Sequence, residues 1–402
     1  MAKRLSLLIS LLLLIMIALP VQGQDDVETY VLGVAQPFTG PLGSFGTDFT
    51  RGIELAVMQM NAELEASGVN IRFEVASADT EGTPDGAARA VQTIVQTTGA
   101  EVIVGPLTTS EVLGAKQFAD ENGVVIVAPA SSGIPGAIPG DNIFRVMYPP
   151  DNFAALAFAE IARSRGYENI AILHVDDPFG NGLAERFTID FQAAGGGEVT
   201  TIAYSPEPPD LSGEATALSA DVAQLSGSGN TAVFCICFLA DAQKLLQVAQ
   251  IDPILTTVEW MGVENLVSPD LLADAGHAQF LQSVNFISVS FTDTATPLTS
   301  PFIESFTAEY GDPPGPFTNY AFDAANIAML TMLAAGNDGD AITGMLPFVA
   351  NHYIGTSVQA YLDDNGDQAI AFYGIFRVAD DASSFIEIGT YNGSTGLLEM
   401  NE

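Results

Sequence analysis

The sequence predicts an α/β protein with two lobes, each a doubly wound, mostly parallel sheet. Three observations carry that reading. Short β-branched runs alternate with helix-length amphipathic stretches from Thr29 to Met261. The alternation restarts after the turn Tyr148-Pro149-Pro150-Asp151. The chain has 402 residues, enough for two domains of ordinary size.

The stretch that organises the first lobe runs from Val102 to Pro135. Val102–Val104 and Val124–Val127 are continuous apolar runs, as expected of strands buried on both faces. Between them Val112, Leu113, Ala115, Phe118 and Ala119 fall on one helical face, and Gly123 is placed to end the helix. Thr108 and Glu111 have the spacing of a capping box, which puts Thr109 and Ser110 in the first helical turn. The second strand ends in Ala130-Ser131-Ser132. Both loops lie at the carboxyl ends of parallel strands, where open α/β sheets bind ligands. Free amides, hydroxyls and the helix dipole there favour a carboxylate or phosphate. Ser and Thr at helix starts are often only caps; two such loops one strand apart tip the reading towards a site.

Before this unit, Thr29–Ala35 reads as a strand and 36–46 as a turn-rich loop, followed by a helix from about Thr47 to Ala66. The loop has neither the P-loop lysine nor a G-x-G-x-x-G pattern. Its Phe45 is either a lid over a ligand or a plug over the sheet edge. Ile71–Ala76 is a strand, Pro84–Thr97 a helix and Asn142–Met147 a short strand. The second lobe offers helices at 152–165, 183–194, 215–225 and 240–250, with strands at 169–175, 199–204, 232–239 and 256–261. After it come a strand at 284–289 and helices at 301–310, 319–335 and 341–351. Tyr353–Tyr361 and Ala369–Val378 read as two strands around the turn Asp363-Asp364-Asn365-Gly366-Asp367, which is too short for a calcium loop and lacks its distal Glu.

Residues 1–23 carry Lys3 and Arg4, an apolar run from Leu7 to Leu19 and a small-residue exit, the pattern of an exported leader. Net charge is −37 with only 12 Lys and Arg, which argues against nucleic acid and anionic membranes as partners. The only two cysteines, Cys235 and Cys237, fall two apart in a predicted strand and read as buried thiols rather than a disulfide or a metal pair. His174, His277 and His352 are scattered, and no nucleophile elbow or zinc motif occurs. Neither a cofactor nor a metal is expected, and no enzyme reading is supported.

In order along the chain, 104–110, Ala128-Pro129-Ala130-Ser131-Ser132, Phe144-Arg145 with Asp151, and Phe179-Gly180-Asn181-Gly182-Leu183-Ala184 resemble the branched-chain amino-acid-binding proteins of ABC importers, which have the type I periplasmic binding fold. The resemblance spans the chain beyond its leader. It implies two Rossmann-like lobes joined by three crossovers, with ligand in the cleft between them. The lobes are then 27–147 with 285–352, and 148–284 with 353–395. The resemblance further implies that Thr109, Ser110, Ala130 and Ser132 hold an α-carboxylate, that Glu264 holds an ammonium, and that Phe179, Phe238 and Phe45 line the pocket. By position alone Glu264 also reads as a solvated or capping residue. Phe179 and Phe238 stand where tyrosine is usual, so the pocket is more apolar. The implied role is a monomeric, secreted solute-binding protein at the periplasmic or extracellular face of the cytoplasmic membrane, delivering an amino acid to a permease. A ligand sensor, or a binder of urea, amides or aromatic carboxylates, is the alternative on the same fold.

Overall fold

The computed structural model describes residues 27–291, 296–356 and 359–401. The expected leader lies outside them. Strands β1 (Glu28–Gln36), β2 (Ile71–Asp79), β3 (Val102–Val104), β4 (Val125–Ala128) and β5 (Ile143–Arg145) form a parallel sheet in the order β2-β1-β3-β4-β5. Helices α1 (Gly43–Ala66), α2 (Pro84–Thr98) and α3 (Thr109–Asn122) connect its strands. The order reverses about β1, so the loops after β1 and β3 open side by side at the carboxyl edge.

Helix α1 starts four residues earlier than the sequence reading allowed. The glycines there serve close approach rather than a turn: a Cβ on Gly46 would sit 1.8 Å from the Pro37 carbonyl oxygen. Gly123 caps α3 with φ +67°, as its position predicted.

The second lobe contains α4 (Asn152–Arg165), β6 (Asn169–Val175), α5 (Pro178–Ala193), β7 (Val199–Tyr204), α6 (Ser212–Leu225), β8 (Thr231–Ile236), α7 (Leu239–Ala249), β9 (Glu259–Gly262) and α8 (Ala275–Ser283). Its sheet continues through β10 (Ile287–Phe291) to β11 (Phe372–Val378), β12 (Phe385–Asn392) and β13 (Leu397–Met400). The strand order is β13-β12-β11-β10-β9-β8-β6-β7; β7 to β10 run parallel and the last three strands add antiparallel. Helices α9 (Thr299–Tyr310), α10 (Thr318–Ala335) and α11 (Gly339–Ala350) return to the first lobe, where α10 packs along α1. Helix α10 is apolar nearly all round and correspondingly buried.

Two lobe boundaries differ from expectation. Residues Ile287–Phe291, expected in the first lobe, pair with Met261–Gly262 and with Tyr373–Arg377 and belong to the second sheet. Residues 353–368, expected in the second lobe, stay with the first. The Tyr353 hydroxyl and the Thr356 amide and hydroxyl bond to Asp323 of α10, and Asp367 bridges to Arg145 at the edge of β5. Among the described residues of 353–361 there is accordingly no strand, only an isolated Ile354–Gln359 bridge. The turn at 363–367 is real, closed by a Leu362–Gln368 bridge. The first crossing therefore falls at 146–151 and the third between Gln368 and Phe372, while Phe291 still pairs in the second sheet and the helix from Thr299 lies on the first lobe. Periodicity reads a strand's length but not which sheet it joins.

Cys235 and Cys237 form a disulfide, contrary to the reading of two parallel thiols. The cause is where β8 stops. Ile236 is its last residue, so Cys237 is free of the pleat that would hold the two side chains parallel. The Cα atoms are 5.5 Å apart, against about 6.6–6.8 Å for two residues of regular strand.

Candidate functional site

The first-lobe half of the site is built by α3 and the loop after β4. Thr108 is the N-cap of α3: its hydroxyl accepts from the Glu111 amide, and the Glu111 carboxylate accepts from the Thr108 amide at 2.8 Å. Glu111 is buried and also accepts from Thr80, and burial pushes its carboxyl above the usual range. The capping box fixes the first turn, so Thr109 and Ser110 stand at a helix N-terminus. The Thr109 hydroxyl accepts from the Gly133 amide at 2.8 Å and shares a 3.0 Å hydrogen bond with the Ser131 hydroxyl. The two loops singled out in the sequence are thus tied side by side. Ser132 is buried and its carbonyl accepts from the Asp151 amide at 2.8 Å. Ala130 is half-buried in the same loop, and Phe45 is half-buried against the core in the first turn of α1.

The second lobe brings up its own strand ends. Asp177 caps α5 by accepting from the Gly180 amide at 2.7 Å, and faces the Ser110 hydroxyl at 3.4 Å across the gap between lobes. Next to it Phe179 packs on Phe238, ring centres 5.6 Å apart and 30° tilted. Farther along the helix, Gly182 lies against Pro135; a Cβ there would come within 2.9 Å of the proline ring. The lobes are therefore closed on one another. Glu264 follows β9 and is 7 % exposed; it is buried rather than solvated.

Between these halves lies a group of buried polar atoms without hydrogen-bond partners. Both carboxylate oxygens of Asp151, one of Glu264, and the hydroxyls of Tyr148 and Tyr373 all lack one. The side-chain amide of Gln36, beside Gly105 at the end of β1, is also buried without one. Ser132 faces Asp151, and Tyr148 faces Glu264. Burial drives the Glu264 carboxyl above its ordinary range. Burial, and then the neighbouring Glu264 charge, drives Asp151 well above it. Burial also raises the Tyr148 and Tyr373 hydroxyls, with Glu264 adding to both. Buried acids with unmet acceptors favour a cation or a strong donor beside them.

The sequence reading named Thr109, Ser110, Ser132 and Glu264 as candidates, but not Gln36, Tyr148 or Tyr373. Asp151 entered it only as part of a motif. A signal existed for two of these. Gln36 ends β1 as Asp79 ends β2, and Asp151 follows the Pro-Pro turn that leaves β5, both at carboxyl edges of parallel strands.

Two α/β lobes closed on one another, with buried polar groups between them, form an architecture that can enclose a small ligand. The periplasmic binding protein family matches residues 29–367, and the chain belongs to that family. It is 25 % identical to an uncharacterized protein of Methanocaldococcus jannaschii over 91 % of this chain and 90 % of that one. It is 24 % identical to an amino acid binding protein of Pseudomonas aeruginosa over 87 % and 90 %. Among solved structures it resembles the leucine binding protein LivK of Thermotoga maritima, with a TM-score of 0.77, 20 % identity, and coverage of 91 % of this chain and 99 % of that chain. The family is one of binding proteins rather than enzymes. Among the described residues no helix is long and apolar enough to cross a membrane.

Proposed function

We propose that this chain is the extracytoplasmic solute-binding protein of an ABC importer, and that it takes up an amino acid with an apolar side chain between its lobes for delivery to a permease. The observation that carries the reading is the pair Asp151 and Glu264. Both are buried carboxylates with unmet oxygens, and Asp151 faces Ser132 in the loop that Thr109, at the α3 N-terminus, ties down. A zwitterion satisfies both ends at once. Its carboxylate meets the α3 N-terminus with Thr109, Ser110, Ala130 and Ser132, and its ammonium meets Glu264 and Asp151. Charge-assisted hydrogen bonds of this kind contribute roughly 1.5–3 kcal/mol each. Phe179, Phe238 and Phe45 supply apolar surface for the side chain, which supports an aliphatic ligand.

An aromatic carboxylate leaves both acids without a cation, and urea leaves the hydroxyl-lined helix end without an anion. The amino-acid reading is therefore preferred over both. The named Pseudomonas and Thermotoga relatives support it in kind. A thermal-shift screen over amino acids, amides, urea and aromatic acids tests it, because a ligand selective for the folded state at about 100 times its Kd adds about 2.7 kcal/mol. The largest rise is expected with an apolar L-amino acid. A rise with benzoate and none with any amino acid would reverse the assignment.

A further inference from the structure

The loop that carries Ser131 and Ser132 is held from behind by a residue that reaches into neither the gap nor the solvent. Arg145, at the end of β5, is 1 % exposed, and so is its partner Asp367. The guanidinium makes a two-pronged contact with that carboxylate: Nε donates to Oδ1 at 2.6 Å and Nη2 to Oδ2 at 2.5 Å. Its remaining arm, Nη1, donates to the Gly133 carbonyl at 2.8 Å and lies 3.5 Å from the Ser131 carbonyl. Only a planar fork serves a carboxylate and a backbone turn together; an ammonium does not.

The surroundings are shaped to this residue. A Cβ on Gly136 would stand 3.1 Å from Nη1, and one on Gly133 would stand 2.7 Å from the Thr109 hydroxyl oxygen. Asp367 is itself fixed: the Arg145 amide donates to the Gly366 carbonyl, and the Gln368 amide donates to the Arg145 carbonyl, at 3.0 and 2.9 Å. Asp367 lies 222 residues from Arg145 in sequence and a few residues before the chain's third crossing. Carbonyl oxygens at Ser131 and Gly133 would repel an anion docked on this loop, and Arg145 draws both towards itself.

We propose that Arg145 and Asp367 are positioning residues. They set the conformation of the loop Ser131–Gly133, so that it accepts an anionic head group, without touching the ligand. The inference rests on the reading of that loop as the carboxylate-binding element, and the experiment separates the two.

Hydrogen–deuterium exchange is measured on the full chain, wild type against Asp367→Asn and Arg145→Lys, with L-leucine affinity measured alongside. Arg145→Lys keeps the buried charge paired and removes only the fork, so it serves if Asp367→Asn does not fold. The expected result is at least tenfold faster exchange confined to 131–137, with β3 and β4 unchanged. L-leucine affinity should fall at least tenfold and be largely restored by Asp367→Glu. Exchange at 131–137 equal to wild type in both variants, or faster exchange spread evenly over the first sheet, would overturn the positioning role. If wild type does not bind L-leucine, the ligand reading fails while the exchange result still decides this proposal.

Discussion

At the residue scale the proposed site turns on the buried acids Glu264 and Asp151. Replacing Glu264 with Gln removes the charge and keeps the shape, so affinity for a cationic-headed ligand should drop at least tenfold by calorimetry; unchanged affinity would remove Glu264 from the site. The pH dependence follows from the upward shifts of both acids. The folded ligand-free protein holds protons on them that the unfolded chain has lost. Their contribution to stability is thus full below the unfolded values, about 3.9 for Asp and 4.3 for Glu. It is lost as pH rises through the folded values. The ligand-free melting temperature should fall as pH rises above 5, and Glu264→Gln should flatten that fall. An equal slope in both proteins would contradict the assignment. The Ser and Thr donors were legible because caps have spacing rules. Tyr148 and Tyr373 were not, because their meeting depends on two chain segments more than 200 residues apart.

Among the elements, α3 matters most. Its capping box orients the helix end that Thr109 and Ser110 occupy, and Thr108→Ala should cost about 0.5–2 kcal/mol in chemical denaturation. The helix was readable from the Thr108–Glu111 spacing, whereas the bond from Thr80 to Glu111 was not, since it joins β2's loop to α3 through the fold. Helix α5 carries the contact of Gly182 with Pro135 of the first lobe. Gly182→Val should hold the lobes apart through Pro135, weakening ligand binding several-fold while leaving the ligand-free melting temperature within a degree or two. An unchanged Kd would show that the contact between Gly182 and Pro135 is dispensable. The Cys235–Cys237 disulfide shows the limit of reading by element: a strand that ends at Ile236 rather than Leu239 changes which way a thiol points.

For the whole molecule, the two-lobe alternation was legible because buried parallel strands leave continuous apolar runs. Where the chain crosses between lobes was not, because β10 and the turn at 363–367 look alike to periodicity whichever sheet receives them. Composition also acts at this scale. With a net charge of −37, the compact state repels itself. Raising salt from about 0.1 to 1 M shortens the screening length from about 10 to about 3 Å. The melting temperature should therefore rise with sodium chloride, and a fall would mean that attractive ion pairs dominate instead.

In the proposed function one small molecule is held at both of its charged ends between the lobes. Isothermal titration calorimetry of the wild-type protein with L-leucine, 4-methylpentanoate and L-leucinol tests it most directly, since these keep the aliphatic chain and remove the ammonium or the carboxylate one at a time. The expected result is measurable binding of L-leucine and at least a tenfold loss for each of the others. Binding of 4-methylpentanoate as tight as L-leucine would contradict the account.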